Sequence, residues 1–261
     1  MKRKHIAVLF FLVSLLTTSC SKMDALFRNG EPVTEHRTAS EPFDIICMYN
    51  NINVDLKHSS HPRLELTCPK NLIDNIVTEI RNDSLIIRND NDLNWLRSYD
   101  YSINLTVYYD SLREINYASI GRLTTQDTLY GRYTLDTLED YGIHTFMLRT
   151  KEGCGDIDLT FSCNLLRNRF FNGTSCITLR GVVGYTEHIV RSYGTVHAEE
   201  LDANFVNVTH ESTNNLYLQV RNGGSLRAKL SSIGNLYYKG NPDPGKTRIE
   251  CSSSGRAIKM E

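Results

Sequence analysis

A small or turn-forming residue followed by an alternating apolar run recurs through the second half of the chain at nearly constant intervals. The starts are Gly155, Ser175, Gly194, Asn214, Gly234 and Gly255. Each follows the one before by about 20 residues, the length of a short structural repeat. An earlier start, Gly121, precedes Gly155 by a longer interval, which fits one unit enlarged by an insertion near Tyr130 to Ile143. So steady a period restricts the chain to a repeat architecture, in which each unit buries its apolar face only against its neighbours.

The pattern inside the unit selects the kind of repeat. Two residues past each start stand Leu123, Ile157, Ile177, Val196, Leu216, Leu236 and Ala257, all apolar. Four residues before it stand Tyr117, Lys151, Phe171, Val190, His210, Leu230 and Cys251, mostly apolar. Alternation such as Leu226-Arg-Ala-Lys-Leu230 is the period of a half-buried strand. Between the arms lie small residues suited to a tight corner, as in Ser231-Ser-Ile-Gly234 and Ser252-Ser-Ser-Gly255. An antiparallel meander or sandwich would also alternate. The in-phase apolar column favours an all-β, β-helix-like parallel solenoid with coils of about twenty residues.

Residues 43–110 lack this period. Strand-like runs at Asn51 to Leu56, Leu64 to Thr67, Ile76 to Ile80, Ser84 to Arg88 and Ile103 to Val107 are separated by Pro, Asn and Asp. Asn82-Asp83 reads as a hairpin turn, and Asn71 to Glu79 fits a short helix or a strand. An open solenoid end needs cover, so this region is expected to be an irregular β cap continuous with the coils at 111–261.

The first residues read as an address. Lys2, Arg3 and Lys4 precede an apolar stretch from Ile6 to Leu16, and Thr17-Thr-Ser-Cys20 follows. Eleven residues extend about 16 Å as a helix, half of a bilayer core, so residues 1–19 read as a secretory signal peptide rather than a span. Cys20 after small residues reads as a lipid-attachment site, with Ser21 to Pro42 as a tether. Without Lys2, Arg3 and Lys4 the chain carries 26 basic against 30 acidic residues, net −4. That charge points to attachment through acyl chains rather than attraction to anionic lipid. With Cys20 as the lipid-attachment site, the expected location is the outer membrane, lipid-anchored and facing either periplasm or outside. A chain with no polybasic surface is also a poor nucleic-acid binder. Cys47, Cys68, Cys154, Cys163, Cys176 and Cys251 follow without CxxC or zinc-type spacing, and their pairing is open.

The framework Phe43-Asp44…Asn51-Ile-Asn-Val54…Asn71-Leu-Ile73, the strand pair Ile76 to Arg88, the Gly-started coils, the run Gly234-Asn-Leu-Tyr-Tyr-Lys-Gly-Asn-Pro242 and the ending Ser254-Gly-Arg-Ala-Ile-Lys259 resemble the putative auto-transporter adhesin, head GIN domain family. The resemblance spans about residues 42 to 260. It implies a β-rich exported protein, often a lipoprotein, of Bacteroides-type bacteria, with an adhesive role and no catalytic residues to carry over. Family corners favour Ser-Gly-Ser-Gly-Asp; only Gly155-Asp156 keeps that acidic ending here.

Several motifs carry less than their letters promise. Gly240-Asn-Pro-Asp-Pro-Gly-Lys-Thr247 matches the P-loop expression, but the following Arg248-Ile-Glu-Cys251 alternates like a strand, and Pro242 and Pro244 remove N–H donors. No nucleotide is expected there. Asn89-Asp-Asn-Asp92 lacks the Gly and Glu of a calcium loop and reads as a solvated turn. His188, His197 and His210 fall at different phases, so they do not converge on a metal; His210 takes a column slot as a satisfied core histidine. Asp156 and Asp158 have no acidic neighbours in the next coil, where Cys176 and Thr178 stand, so acid–base chemistry is unsupported. No catalytic site, metal or other cofactor is expected.

One outward position is distinctive. Three residues past the starts come Asp158, Thr178, His197, Tyr217, Tyr237 and Ile258. With coils about 4.8 Å apart, His197, Tyr217 and Tyr237 would form an exposed aromatic ladder able to hold a sugar face or an apolar protein edge, although strand propensity alone also favours Tyr there. The expected function is surface interaction as an adhesin or scaffold. Carbohydrate binding or processing on a solenoid and a purely structural spacer are the alternatives.

Overall fold

Period-two alternation commits the chain to strands, and the computed structural model, which describes residues 28–92, 101–136 and 141–261, joins eighteen of them in one curled sheet. The first half contains β1 (Pro32–Thr38), β2 (Ile45–Asn50), β3 (Asn53–His58), β4 (Arg63–Pro69), β5 (Ile76–Arg81) and β6 (Ser84–Asn89). It continues through β7 (Asn104–Tyr109), β8 (Glu114–Ser119) and β9 (Leu123–Thr125). Then follow β10 (Arg132–Asp136), β11 (Tyr141–Gly153), β12 (Ile157–Phe171), β13 (Ile177–Arg191), β14 (Val196–His210) and β15 (Leu216–Leu230). Short strands β16 (Leu236–Lys239), β17 (Arg248–Cys251) and β18 (Ala257–Lys259) complete it. The expected signal peptide at 1–19 and the expected lipid-attachment residue Cys20 lie outside the described residues.

β11 to β15 run parallel, each against the next, and every strand from β12 to β15 is 15 residues long and serves two sides of a coil. This is the β-solenoid the period implies. Its corners are stapled by side chains that repeat with the coil. Ser212 Oγ donates to the Ser192 carbonyl and accepts the Asn214 N–H at 3.1 Å. Ser119 does the same with the Asn50 carbonyl and the Gly121 N–H. At the neighbouring position Asn215 Oδ1 accepts the Asn235 N–H, and Asn235 Oδ1 the Arg256 N–H. Backbone groups that a corner would leave unpaired are thereby satisfied.

The first apolar column has the register read from the sequence: Leu123, Ile157, Ile177, Val196, Leu216, Leu236 and Ala257 are partners in turn, and Val54 extends it below Leu123. From Val54 to Leu236 every member is at most 1% exposed. Burial of each such side chain contributes about 1.5–3 kcal/mol. In the second column two residues differ from expectation. Thr150 and Phe170, rather than Lys151 and Phe171, stand between Tyr117 and Val190. Those two corners hold one more residue: the register shifts between Thr150 and Glu152, and Asn172 and Gly173 both take positive φ. His210 does occupy the slot between Val190 and Leu230 and is wholly buried, but neither ring nitrogen has a hydrogen-bond partner, so it is not the satisfied histidine expected.

Parallel pairing also runs through residues 45–109. β2 lies between β6 and β8, and β3 between β7 and β9, so a rung of the stack precedes residue 110. The period is hidden there because the chain leaves this rung after β3 and returns to it only at β8 and β9. Asn50 and Ser119, joined across the two strands, are 69 residues apart. Antiparallel β5 on β6, β4 on β7 and β1 on β4 cover this end. Asn82 and Asp83, both at positive φ, turn β5 into β6 as expected, and Ile73–Asn75 is a single 3-10 turn before β5. The insertion between Tyr130 and Ile143 is a hairpin of β10 on β11.

The stretch expected to be tether is in part folded. Pro32–Thr38 is an edge strand on β4, and the Arg37 guanidinium donates to the Ile73 and Ile76 carbonyls. Pro32 at the strand start needs no ladder N–H, and the edge of β4 gains cover. Asn89 and Asn91, expected in a solvated turn, are buried: Asn89 donates to Asn51 Oδ1 at 2.7 Å and Asn91 to the Leu72 carbonyl at 2.9 Å. Their amides satisfy corner groups that the fold encloses.

Candidate functional site: an aromatic ladder on the coils

Three consecutive coils carry His197, Tyr217 and Tyr237 at one register position on β14, β15 and β16. Each follows an inward residue of the first column, so strand alternation turns it outward. The His197 and Tyr217 rings are stacked with centroids 5.0 Å apart and planes inclined by 5°; Tyr217 and Tyr237 are 5.0 Å apart at 13°. The spacing is that of the strands themselves. All three are half-buried, while Leu216 and Leu236 beside them are fully buried. Glu199 Oε1 lies 3.1 Å from His197 Nδ1, and Asn215 Nδ2 donates to the Tyr217 hydroxyl at 3.4 Å. Thr178 below and Ile258 above continue the stripe.

Such a surface offers flat, fixed rings and hydroxyls but no nucleophile. Asp158 does not stand free nearby: it is ion-paired with Arg180, which also reaches Glu200 Oε2 at 3.1 Å. That basic partner, from the neighbouring coil, was not legible in the sequence. His58 packs edge-on against Tyr109, and His61 Nδ1 is 3.1 Å from Ser60 Oγ. No group of three potential metal ligands occurs among the described residues.

The remaining motifs have structural roles. In the P-loop-like run, Pro244–Lys246 is one 3-10 turn capped by Asp243, and strand β17 follows instead of a helix. The six described cysteines are unpaired. Burial pushes the Cys68 thiol up to about 11 and the Cys163 thiol up to about 12, which leaves both unreactive. The coils also place Tyr185 and Phe205 side by side outside the ladder. Their separation is the same coil period, visible only once the second half of each strand is compared.

A family profile for "putative auto-transporter adhesin, head GIN domain" matches residues 42–242. The chain belongs to that family. No relative was found among proteins with curated descriptions. Solved structures share the GIN-domain fold. A "putative adhesin" of Bacteroides fragilis superimposes with TM-score 0.72 at 14% identity, covering 90% of this chain and 100% of the other. A "putative adhesin" of Parabacteroides merdae gives 0.57 at 14% identity, with 90% and 98% covered. A "putative lipid binding protein" of Parabacteroides distasonis gives 0.60 at 16% identity, with 90% and 100% covered. At such identities the likeness is one of fold. Membership in an adhesin family points to the cell envelope or surface and to a role other than catalysis. Among the described residues of this GIN-domain chain no helix is long and apolar enough to cross a membrane.

Proposed function

We propose that this GIN-domain chain is a lipid-anchored envelope protein that acts by surface contact, as an adhesin or scaffold, with the His197–Tyr217–Tyr237 ladder as its contact face. The observation that carries the reading is the parallel stacking of three half-exposed rings on consecutive coils. A β-solenoid holds such rings at fixed spacing with little conformational freedom left to lose on binding, and their faces suit the C–H side of a sugar or an apolar protein edge. Family membership supports the adhesive role. Processing of carbohydrate is less well supported, because Asp158 and the nearby Glu200 are both engaged by the Arg180 guanidinium. Cys20 would carry the lipid, and residues before β1 would form a shortened tether.

A glycan and envelope-protein binding screen of the fragment Lys22 to Glu261 tests this directly. Binding should fall at least about tenfold in a Tyr217→Ala/Tyr237→Ala protein whose melting is little changed, since exposed cross-strand pairs hold about 0.2–1 kcal/mol each. Undiminished binding by the double variant would remove the ladder from the function.

A further inference from the structure

A second surface feature lies on the same coils, away from the ladder. Residues in the later half of the long strands, and of β17 beyond them, pair as Tyr185–Phe205–Ser225, and beside them as Asn207–Arg227–Arg248. The segment from Gly240 to Thr247 folds against this corner: the Asp243 N–H donates to the Gly224 carbonyl at 2.8 Å, and Ser225 Oγ to the Lys246 carbonyl at 2.9 Å. Together they enclose an open cleft of about 340 Å³ lined by Tyr185, Phe205, Asn207, Ser225, Arg227 and Lys246.

Two facts about this cleft call for a ligand. Phe205 is 46% exposed although the solenoid buries most of its large apolar side chains. Arg227 and Arg248, directly opposite each other on adjacent strands, have no ion-pair partner among the described residues. Like charges in register are destabilising. Elsewhere on the coils Arg180, Arg191 and Arg221 are each matched by a carboxylate one coil away. Lys246, at the rim, shares Asp243 at 3.3 Å. The cleft therefore combines two aromatic side chains from adjacent coils with the unpaired charge of Arg227, beside which Arg248 stands on the next strand.

We propose that this cleft binds an acidic sugar, a pyranose bearing a carboxylate. The C–H face of the ring would lie on Phe205 and Tyr185. The carboxylate would be held by the planar guanidinium of Arg227, with Arg248 and Lys246 adding charge. Asn207 offers an amide for ring hydroxyls. The volume, at the lower end for small-molecule sites, fits one or two sugar units.

The test is calorimetric titration of the purified chain with oligogalacturonate and with its methyl ester. The acid should bind, more weakly as salt is raised, and the ester should bind at least about tenfold more weakly, the scale of a charge-assisted hydrogen bond. Phe205→Ala and Arg227→Ala should each weaken the acid by a similar factor. Both side chains are exposed, and circular dichroism should show both variants folded. The Tyr217→Ala/Tyr237→Ala protein should bind the acid like the parent, which separates this site from the ladder. Equal binding of acid and ester, absence of binding to the parent, or binding untouched by Arg227→Ala would overturn the proposal. Binding lost with Arg227→Ala but kept with Phe205→Ala would make the cleft a plain anion site and overturn the sugar.

Discussion

Asn168 and His188 are partners across adjacent coils inside the core, with the Asn168 side-chain amide 3.3 Å from His188 Nδ1. Thr186 Oγ1 lies 3.2 Å from His188 Nε2 and 3.3 Å from the same amide. Both Asn168 and His188 are completely buried, in a column whose next members are Val208 and Ala228. A neutral imidazole with its proton on Nε2 has both ring nitrogens satisfied, donating to Thr186 and accepting from Asn168, while the buried Asn168 Oδ1 has no hydrogen-bond partner.

Burial lowers the His188 pKa to about 4 in the folded chain, while an unfolded histidine titrates near 6.5. Above pH 6.5 both states hold the neutral ring and nothing is lost. As pH falls from about 6.5 to about 4, the unfolded chain takes up the proton first, so stability drops, by up to about 3 kcal/mol. Buried His210 is shifted the same way by burial and adds to the slope. Urea unfolding across this pH range should show the decline, and His188→Leu should flatten part of it. An unchanged slope in that variant would mean that the imidazole is charged or solvated in the folded state.

Neighbouring residues on one strand should respond in opposite ways. Leu216→Ala or Leu236→Ala leaves a hole in a column with no room to collapse and should cost about 2–5 kcal/mol. Tyr217→Ala or Tyr237→Ala, one residue on and half-exposed, should cost at most about 1 kcal/mol. Denaturant midpoints of the four variants measure the contrast.

A similar contrast tests the corrected corner. Phe170 is fully buried, whereas Phe171 faces outward with the Arg191 guanidinium 5.6 Å from its ring centroid. Phe170→Ala should therefore cost about 3–5 kcal/mol and Phe171→Ala under about 1 kcal/mol. The reverse order would restore the register expected from the sequence.

Gly181 sits within β13 at φ +108°, opposite Phe161 on the preceding coil. A Cβ at this position would meet the Phe161 carbonyl oxygen, and the backbone conformation is itself unfavourable for an L side chain. Gly181→Ala should lower stability by more than about 1 kcal/mol, read as a fall in thermal midpoint.

Fractionation tests the anchor. If Cys20 carries the proposed lipid, wild-type protein should sediment with membranes and resist salt extraction, since acyl chains rather than charge would hold it. Cys20→Ser should appear in the soluble fraction; a variant that stays membrane-bound would assign attachment to another part of the chain.

By itself the sequence determined the β-solenoid and the phase of its first column. Each coil repeats its alternation at a fixed distance, so Leu216, Tyr217 and Leu236 could be assigned to inside or outside before any contact was known. It determined the Asn82-Asp83 turn for the same local reason: only two residues must accept positive φ. The tertiary structure decided what depends on corner length and on pairing across coils. One additional residue between Thr150 and Gly155 moves Thr150 inward in place of Lys151, a change that composition does not mark. The first rung was unreadable because β2 pairs with the distant β8, as Ile45 does with Glu114, beyond the reach of any short period. The pairing of Arg180 with Asp158, the enclosure of Asn168 with His188, and the opposition of Arg227 and Arg248 likewise arise only where separate coils meet. Periodicity specifies which side a residue faces; the stacking of coils specifies what it faces.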